Sequence, residues 1–330
     1  MNTNIHSPFT EEPADQLAQW GEIRLIETIR EWLGPVSPAA PAGMGDDCAV
    51  ISKCTAGQTI ATTDTLTYGQ HFDQHITARD AGAKLIKRNL SDIAAMGGRP
   101  SHALLALLCG GDLSVLWLKS FFQGIRETAE TYGFSIAGGD VSGLPAGHFS
   151  SVLCMTGVAD PPVLRAGARP GDLIYVTGAL GGSLLGKHFR FEPRLSEGEW
   201  IARSGCCHAL IDLTDGLAKD LPALLPQGSS VALDLEKIPL SEAARARADQ
   251  TSRPPMEHAF CDGEDYELLF AADAQTSGPA FEATWKEKFP SVPLTCIGTI
   301  REGATGGALV DAATNRALPW TKGFEHFNKA

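Results

Sequence analysis

The chain has 330 residues, a mass of 35.0 kDa and a formal net charge of −12. This length exceeds what one hydrophobic core usually supports, so two domains are expected. The negative charge argues against nucleic acid or an anionic membrane as a partner. The longest apolar run, residues 103–109, is too short to span a bilayer, and the polar start lacks the features of a signal peptide. We therefore expect a soluble, cytoplasmic protein.

Predicted helices and strands alternate along the chain. Residues 1–20 are polar and predict a loose leader, and from Gly21 the spacing of Ile23, Ile26, Ile29 and Leu33 predicts an amphipathic helix. The further predicted strands are 48–52, 59–63, 101–109, 134–137, 148–158, 173–177, 231–235, 266–271 and 294–300. The further predicted helices are 78–96, 113–132, a glycine-led helix after residue 178, 197–207 and 217–225. This alternation favours an α/β or α+β class in both halves.

Proline and glycine mark the domain division. Pro161-Pro162 and the turn-rich residues 167–172 predict a boundary, which gives domains at 21–160 and 161–330. The eight cysteines include no C-x-x-C pair, and most lie beside apolar residues. Free buried thiols are therefore favoured over zinc ligands or disulfides.

Seven aspartates occur in five short segments rich in glycine or hydroxyl residues. The segments are Gly45-Asp46-Asp47, Thr62-Thr63-Asp64, Asn89-Leu90-Ser91-Asp92, Gly138-Gly139-Asp140 and Asp212-Leu213-Thr214-Asp215. Carboxylate oxygens suit Mg²⁺, which usually binds together with substrate phosphates. We expect each segment to form a tight turn and all five to converge on ATP and Mg²⁺. For any single segment, a capping or turn role is the alternative.

Asp92 is the exception to that alternative, because with Ile93, Ala94 and Met96 it lies in a mostly apolar helical stretch, where a lone carboxylate is costly to bury. Lys87 and Arg88 are its candidate ion-pair partners.

One segment comes close to a P-loop. Residues 181–187 match G-x-x-x-x-G-K and follow a predicted strand, but His188 stands where a P-loop needs a hydroxyl that ligates Mg²⁺. A glycine-started helix against the sheet is the favoured interpretation.

Ten segments in the same order resemble the thiamine-monophosphate kinase family. They are Gly21-Glu22, 43–50, 62–66, 69–72, 89–100, Gly138-Gly139-Asp140, 167–178, 211–217, 263–268 and Lys322-Gly323-Phe324. The resemblance extends to the superfamily of aminoimidazole ribonucleotide synthetase, selenophosphate synthetase and the hydrogenase-maturation dehydratase. Members of this superfamily bind ATP without a P-loop.

The resemblance implies a two-domain, PurM-like α/β fold, with an N-terminal sheet that forms a barrel in a homodimer and a C-terminal α/β domain. It also implies phosphoryl transfer from ATP to thiamine monophosphate, assisted by several Mg²⁺ ions, with K⁺ as a further candidate ion and no general base. The implied metal ligands are Asp46, Asp47, Thr62, Thr63, Asp64, Asp92, Asp140, Asp212 and Asp215. The implied nucleotide contacts are Gly139, Asp140, Arg165 and Thr214. The implied acceptor contacts are His71, Glu264 and Phe324.

Alternative roles remain open at several of these positions. His71 could be an ordinary loop histidine, Glu264 a cap, Phe324 a core anchor and Arg165 a surface residue. Thr214, Asp262, Phe324 and residues 187–198 depart from the usual pattern of the family. A sister enzyme of the superfamily acting on another acceptor and a non-catalytic nucleotide-binding protein are the alternative functions. Selenophosphate synthetases carry a Cys and a Lys near the N-terminus, and residues 1–43 contain neither.

Overall fold

The computed structural model of the chain describes residues 6–40, 42–44, 48–51, 56–303 and 308–324. The chain divides into two compact units. The first comprises Met1–Ile93 and Arg99–Ala159, and the second comprises Ala94–Gly98 and Asp160–Ala330. A short piece from the middle of the N-terminal half thus belongs to the second unit.

The first unit is a mixed sheet with helices packed on one face. Its helices and strands are α1 (Glu22–Leu33), β1 (Gln58–Thr67), α2 (Ala78–Ala95), β2 (Gly98–Gly110), α3 (Val115–Tyr132), β3 (Ser135–Leu144) and β4 (Phe149–Ala159). The strand order is β1-β4-β2-β3, so β1 and β3 form its two edges. Strands β1 and β4 pair in antiparallel fashion, whereas β2 and β3 are parallel.

The core of this unit follows from the periodicity of α2 and α3. Helix α3 begins at its cap Ser114, whose hydroxyl accepts from Trp117 N, and ends at Gly133 in the left-handed region. It buries Trp117 and Phe121, whose rings stack at 5.2 Å, and Phe149 of β4 packs edge-on against both. Aromatic burial of this kind anchors the helix to the sheet.

Residues 8–18, expected to form a loose leader, are attached to the first unit. Backbone hydrogen bonds join Ser114 N to Pro8 O and Leu17 N to Leu113 O. The Asp15 carboxylate accepts from Leu116 N at 2.9 Å, at the start of α3. An acidic side chain at a helix N-terminus is stabilised by the local backbone N–H groups. The polar composition of residues 1–20 did not indicate this attachment.

The second unit is built on a six-stranded sheet of order β10-β7-β9-β5-β8-β6. Its strands are β5 (Leu173–Thr177), β6 (Cys207–Asp212), β7 (Ser229–Leu233), β8 (Leu268–Ala272), β9 (Leu294–Glu302) and β10 (Ala308–Asp311). Its helices are α4 (Lys187–Arg190), α5 (Leu195–Arg203), α6 (Leu217–Asp220), α7 (Glu242–Thr251), α8 (Pro255–Cys261) and α9 (Pro279–Lys288). Strands β5, β7 and β8 are fully or almost fully buried, so apolar side chains cover both faces of the sheet.

Three local predictions were wrong. Residues 48–51 form no strand, and Ser52 lies outside the described residues. Helix α1 buries Leu25, Ile29 and Leu33, while Ile23 is 77% exposed, so its buried stripe starts two residues later than predicted. The helix predicted at 197–207 ends at Arg203, and Cys207 begins β6.

The glycine-led helix predicted after residue 178 is present as a short 3-10 turn, Ser183–Leu185, followed by α4.

Two sequence-wide expectations can be compared with the structure. The seven cysteines in the described ranges are free thiols. None of the helices in the described part of the chain combines the length and the apolar character needed to cross a lipid bilayer.

Candidate functional site

The aspartate segments of the first unit lie in regular structure, not in tight turns as predicted. Thr62 and Asp64 are inside β1, Asp92 is inside α2 and Asp140 is inside β3. The β-branched run of β1 favours a strand, and strand or helix geometry then fixes the direction of each side chain. Asp46 and Asp47 lie outside the described residues.

Strand β1 presents its polar side chains to α2. The Thr62 hydroxyl donates to Asp92 Oδ2, and Arg88 Nη2 donates to Asp64 Oδ1 at 3.0 Å. Arg88, one of the candidate partners of Asp92, forms an ion pair with Asp64. The Thr63 hydroxyl, one residue along, donates to Leu153 O at 3.0 Å across the sheet. Thr62, Asp64 and Asp92 therefore line one contiguous region between β1 and α2.

Asp140 lies elsewhere in the same sheet. A bulge shifts the register between β2 and β3 just before Gly138, after which Asp140 is opposite Ala106. A Cβ on Gly139 would lie 1.8 Å from Leu105 O, so only glycine fits this close approach. Asp140 is exposed on the edge strand β3, and Ser142 Oγ donates to it at 2.9 Å.

Asp64 and Asp140 lie on opposite edges of the sheet. Three strand-to-strand steps of about 4.8 Å each separate β1 from β3, or about 14 Å. The two side chains also point to opposite faces, because Asp64 faces α2 whereas Asp140 shares the face of Ala106, away from buried Leu107. One chain therefore does not bring these two carboxylates to a single ion.

His71 lies in the loop after β1. Its Nδ1 accepts from Thr67 N at 3.0 Å, so the neutral ring carries its proton on Nε2. Fully buried Lys84 of α2 donates to His71 O at 2.8 Å. Helix α2 thus holds the loop that carries His71 through Lys84.

The second unit brings its predicted residues together. Strands β6 and β8 are antiparallel neighbours, with Asp212 opposite Leu268. The residues that continue these strands stay paired, since Glu264 N donates to Thr214 O and Tyr266 N donates to Leu213 O, both at 2.8 Å. The buried Asp212, Thr214 and the expected acceptor residue Glu264 are therefore held by one continuous ladder.

Phe324 joins this cluster through the backbone. Its N–H donates to Asp215 O at 2.9 Å, and Lys219 Nζ donates to Phe324 O at 2.8 Å while pairing with Asp215 Oδ2 at 2.7 Å. A Cβ on Gly323 would lie 2.2 Å from Asp215 O, so the glycine before Phe324 permits this approach. The Phe324 side chain is 46% exposed, which is inconsistent with a core anchor.

Asp220 holds the loop that carries Thr214 and Asp215. Its Oδ2 accepts from the backbone N–H groups of Thr214, Asp215 and Gly216 at 2.9, 2.9 and 3.1 Å. Burial raises the pKa of Asp220 to about 6, although these three hydrogen bonds act in the opposite direction. Sequence reasoning missed this residue; its carboxylate five positions after Asp215 was the available indication.

The segment that carries Glu264 has an unusual backbone. Gly263, Glu264 and Tyr266 have φ angles of 73°, 53° and 51°. Non-glycine residues rarely adopt this conformation, and they cluster at functional sites. Tyr266 OH donates to Glu264 Oε1 at 3.1 Å, and the Phe191 ring stacks on Tyr266 with centroids 3.8 Å apart.

Two buried acidic residues follow Glu264. Glu267 is 1% exposed, and it accepts two hydrogen bonds from Arg194 and one each from Lys187 and Thr177 at 2.8–2.9 Å. Burial favours its neutral form, but bonding to Arg194 and attraction to Lys187 outweigh burial and lower the pKa of Glu267. Burial raises the pKa of Asp265 to about 7, with Lys187 acting in the opposite direction.

Sequence reasoning also missed the partners of Glu267. A charged residue directly before the apolar run of β8 was an indication that a buried ion pair would be needed. The identity of its partners was not accessible, because Arg194 and Lys187 are 73 and 80 positions away.

Arg165 is exposed in the segment between β4 and β5. The neighbouring Leu164 accepts at its carbonyl from Leu210 N at 3.1 Å, which attaches this segment to β6 two residues before Asp212.

In the described ranges, no three His, Cys, Asp or Glu side chains form a group that could hold a metal ion. The donors at the predicted positions are carboxylate and hydroxyl oxygens, which suit Mg²⁺. Because Mg²⁺ is usually bound by one or two carboxylates plus substrate phosphates, this arrangement fits an ion that arrives with a nucleotide.

Known proteins resemble this chain in sequence and in fold. The family model of AIR synthase related protein, N-terminal domain, matches residues 45–159. A thiamine-monophosphate kinase of Rhodopirellula baltica is 37% identical over 298 residues, covering 88% of this chain and 92% of the relative. A solved structure described as AaThiL complexed with AMPPCP and TMP has a TM-score of 0.71 at 28% identity, covering 94% of this chain and 99% of that one. The hydrogenase maturation protein HypE in complex with ATP has a TM-score of 0.74 at 19% identity, covering 94% and 98%, which shows a shared fold alone.

Proposed function

The chain belongs to the thiamine-monophosphate kinase family, and from this premise we propose that it transfers the γ-phosphoryl group of ATP to thiamine monophosphate. The products are thiamine diphosphate and ADP. The observation that carries the proposal is the ladder in the second unit, which joins Thr214 and Asp215 to Glu264 and Phe324. Residues expected to contact the nucleotide and residues expected to contact the acceptor are thereby neighbours.

The main task of the protein in this reaction is to position the two phosphate groups. The acceptor is a phosphate monoester with a second pKa of about 6, so it is already an anionic nucleophile at neutral pH. No general base is required, and the main obstacle is the repulsion between two polyanions. Mg²⁺, when bound, neutralises this charge. The candidate carboxylate ligands for such ions are Asp64, Asp92 and Asp140 in the first unit, and Asp212 and Asp215 in the second unit.

The protein's own residues bind and orient the reactants. Arg165 offers a forked donor to a phosphate group. Glu264 offers a carboxylate to the nitrogen-bearing part of the acceptor, and His71 offers its Nε2–H. The exposed ring of Phe324 is suited to stacking on the cationic thiazolium.

We further propose that a second copy of the chain completes the site. If Asp64 and Asp140 serve the same ATP, they must come from different chains, because they lie at opposite edges and faces of one sheet. The face of the sheet that carries Asp140 borders a cavity of about 650 Å³ with an apolar lining. Leu104 on this face is 44% exposed, and Ile26 of α1, which also lines the cavity, is 39% exposed, as expected of a surface that a second copy covers.

Mixing two inactive variants tests the shared site. Asp64→Asn and Asp140→Asn would each be inactive alone, but a mixed dimer would contain one site with both carboxylates intact. Re-equilibrated 1:1 mixtures should recover about a quarter of wild-type activity, since half of the dimers are mixed and each has one of two sites. Mixtures as inactive as the separate variants would rule out the shared arrangement.

The activity itself is tested with purified protein, ATP, Mg²⁺ and thiamine monophosphate, using chromatography to detect thiamine diphosphate. Thiamine without its phosphate serves as the control acceptor and should give no product. ATP consumption with phosphate on another acceptor would favour a sister activity of the superfamily. Nucleotide binding without turnover would favour a non-catalytic protein.

A further inference from the structure

The segment that resembles an incomplete P-loop packs on residues 263–267, which carry Glu264. Four of residues 181–188 contact four of residues 263–267. The contacts are Gly181 N to Asp265 Oδ1 and Oδ2 at 2.9 and 3.1 Å, Ser183 Oγ to Gly263 O at 2.6 Å, Lys187 Nζ to Glu267 Oε1 at 2.8 Å and His188 Nδ1 to Glu264 Oε2 at 3.3 Å. The glycine spacing that mimics a phosphate loop thus supports an acidic segment.

Two glycines at the start of residues 181–188 are required by close packing against α7 and α8. Gly181 has a φ of 84°, and a Cβ there would lie 2.7 Å from Ala259 N. Gly182 has a φ of 69°, and a Cβ there would lie 2.3 Å from Ala243 C. Only glycine meets both conditions, so close packing explains Gly181 and Gly182 without a phosphate ligand, whereas Gly186 meets no neighbour within 4 Å and has a φ of 129°.

Residues 263–267 have a backbone conformation that depends on contacts from outside the segment. Glu264 and Tyr266 have positive φ angles, which persist only when surrounding contacts determine them. Residues 181–188 supply contacts to this segment, and residues 213 and 214 add backbone hydrogen bonds.

The side chain of Glu264 is held at both oxygens. Tyr266 OH donates to Oε1 at 3.1 Å, and His188 Nδ1 lies 3.3 Å from Oε2. The Glu264 side chain is nonetheless 23% exposed, and the His188 side chain is 12% exposed. A carboxylate has about four acceptor positions, so a fixed and partly accessible Glu264 can still accept from an incoming N–H group.

We propose that His188 is a positioning residue for the acceptor: through Nδ1 it fixes the orientation in which Glu264 receives the nitrogen-bearing half of thiamine monophosphate. This inference rests on the proposed function and adds to it a residue that acts on acceptor affinity alone. Its effect is expected on the KM for thiamine monophosphate, because the contact is made before and after phosphoryl transfer alike.

The test compares three substitutions at this position. His188→Ala should raise the KM for thiamine monophosphate about tenfold, the effect of losing one close polar contact to a charged group, with kcat and the KM for ATP within about twofold of wild type. His188→Asn places an amide N–H near the position of Nδ1 and should restore most of the affinity. His188→Gln places its amide farther out and should not. If the alanine variant does not fold, the comparison of Asn with Gln carries the test.

His208→Ala is the matched control, because His208 Nδ1 lies 2.9 Å from Asp172 Oδ2 in the same unit and its side chain is 17% exposed. It should leave the KM for thiamine monophosphate unchanged. If the wild-type protein is active, an unchanged KM for thiamine monophosphate in His188→Ala, or equal changes in the KM for both substrates, overturns the role of His188 and leaves the proposed function standing. No thiamine diphosphate from wild type overturns the proposed function and this inference with it.

Discussion

The two units hold their candidate residues in different ways. In the first unit, Thr62, Asp64, Asp92 and Asp140 extend from strands and a helix whose backbone bonds are internal. In the second, residues 213–216 and 263–267 are irregular, and buried carboxylates hold them. Regular structure fixes a side chain through periodicity alone, whereas a loop needs a specific partner for each polar group. The second unit should therefore be far more sensitive to changes in supporting residues that touch no substrate.

The largest effect that this contrast predicts is at Glu267. Glu267→Gln leaves the partly buried Arg194 and Lys187 without their counter-charge, which should lower the free energy of unfolding by about 3 kcal/mol. Urea denaturation measures the change. Arg203→Ala is the control, because it removes an exposed pair with Glu199 and should cost less than about 1 kcal/mol. Equal costs in the two variants would contradict the role given to the buried network.

A change in the first unit should act on activity instead of stability. Asp92→Asn is expected to lower kcat/KM about 100-fold, or about 2.7 kcal/mol in transition-state stabilisation, because the carboxylate is proposed to hold Mg²⁺. Thermal unfolding should change little, since Asn can still accept from Thr62. Asp80→Asn, at the start of the same helix, should keep activity within about twofold. Near-normal turnover in Asp92→Asn would refute the metal assignment.

Asp220 tests whether a residue that supports the loop at residues 214–216 affects both stability and activity. Asp220→Ala removes the acceptor of three backbone N–H groups and should cost about 2 kcal/mol in stability. Because Thr214 and Asp215 then lose their position, the KM for ATP should also rise, which steady-state kinetics would show. Asp220→Asn keeps one acceptor oxygen and should lie between the alanine variant and wild type. An alanine variant with wild-type stability would show that the loop does not depend on this carboxylate.

The last prediction is a pH dependence from Asp265. Its pKa is raised on folding to about 7, so the folded state retains a proton that the unfolded chain releases near pH 4. Its contribution to stability is fully present below that lower pKa and is lost as pH rises through about 7. Asp265→Asn keeps an acceptor for Gly181 N and should flatten this decline. Urea unfolding of both proteins at pH 5 and pH 8 compares them, and identical slopes would exclude Asp265 as the source.

Long periodic elements were predictable from the sequence. The strand predicted at 173–177 is β5, and the helix predicted at 78–96 ends one residue earlier, at Ala95. Apolar runs bounded by glycine and proline determine such elements locally. The strand predicted at 134–137 instead continues to Leu144, because pairing with β2 overrides the turn preference of Gly138-Gly139-Asp140.

The site was predictable in its residue types but not in its arrangement. The spacing of Asp64 and Asp140 gave no indication that they lie on opposite edges, because strand order is a long-range property. Asp220, Arg194 and Lys187 were missed for the same reason, since their roles depend on partners that folding brings close. His188 argued from sequence against a phosphate site at residues 181–188, but the packing of this segment against residues 263–267 required the structure.

Direct transfer between the two phosphate groups is the central claim, and isotope tracing tests it most directly. A single turnover with ATP labelled in its γ-phosphate, followed by ³¹P NMR or mass spectrometry, locates the label. The account predicts that the label lies in the terminal phosphate of thiamine diphosphate, with one ADP formed for each product molecule. Label in inorganic phosphate or on another acceptor, with thiamine monophosphate unchanged, would contradict it.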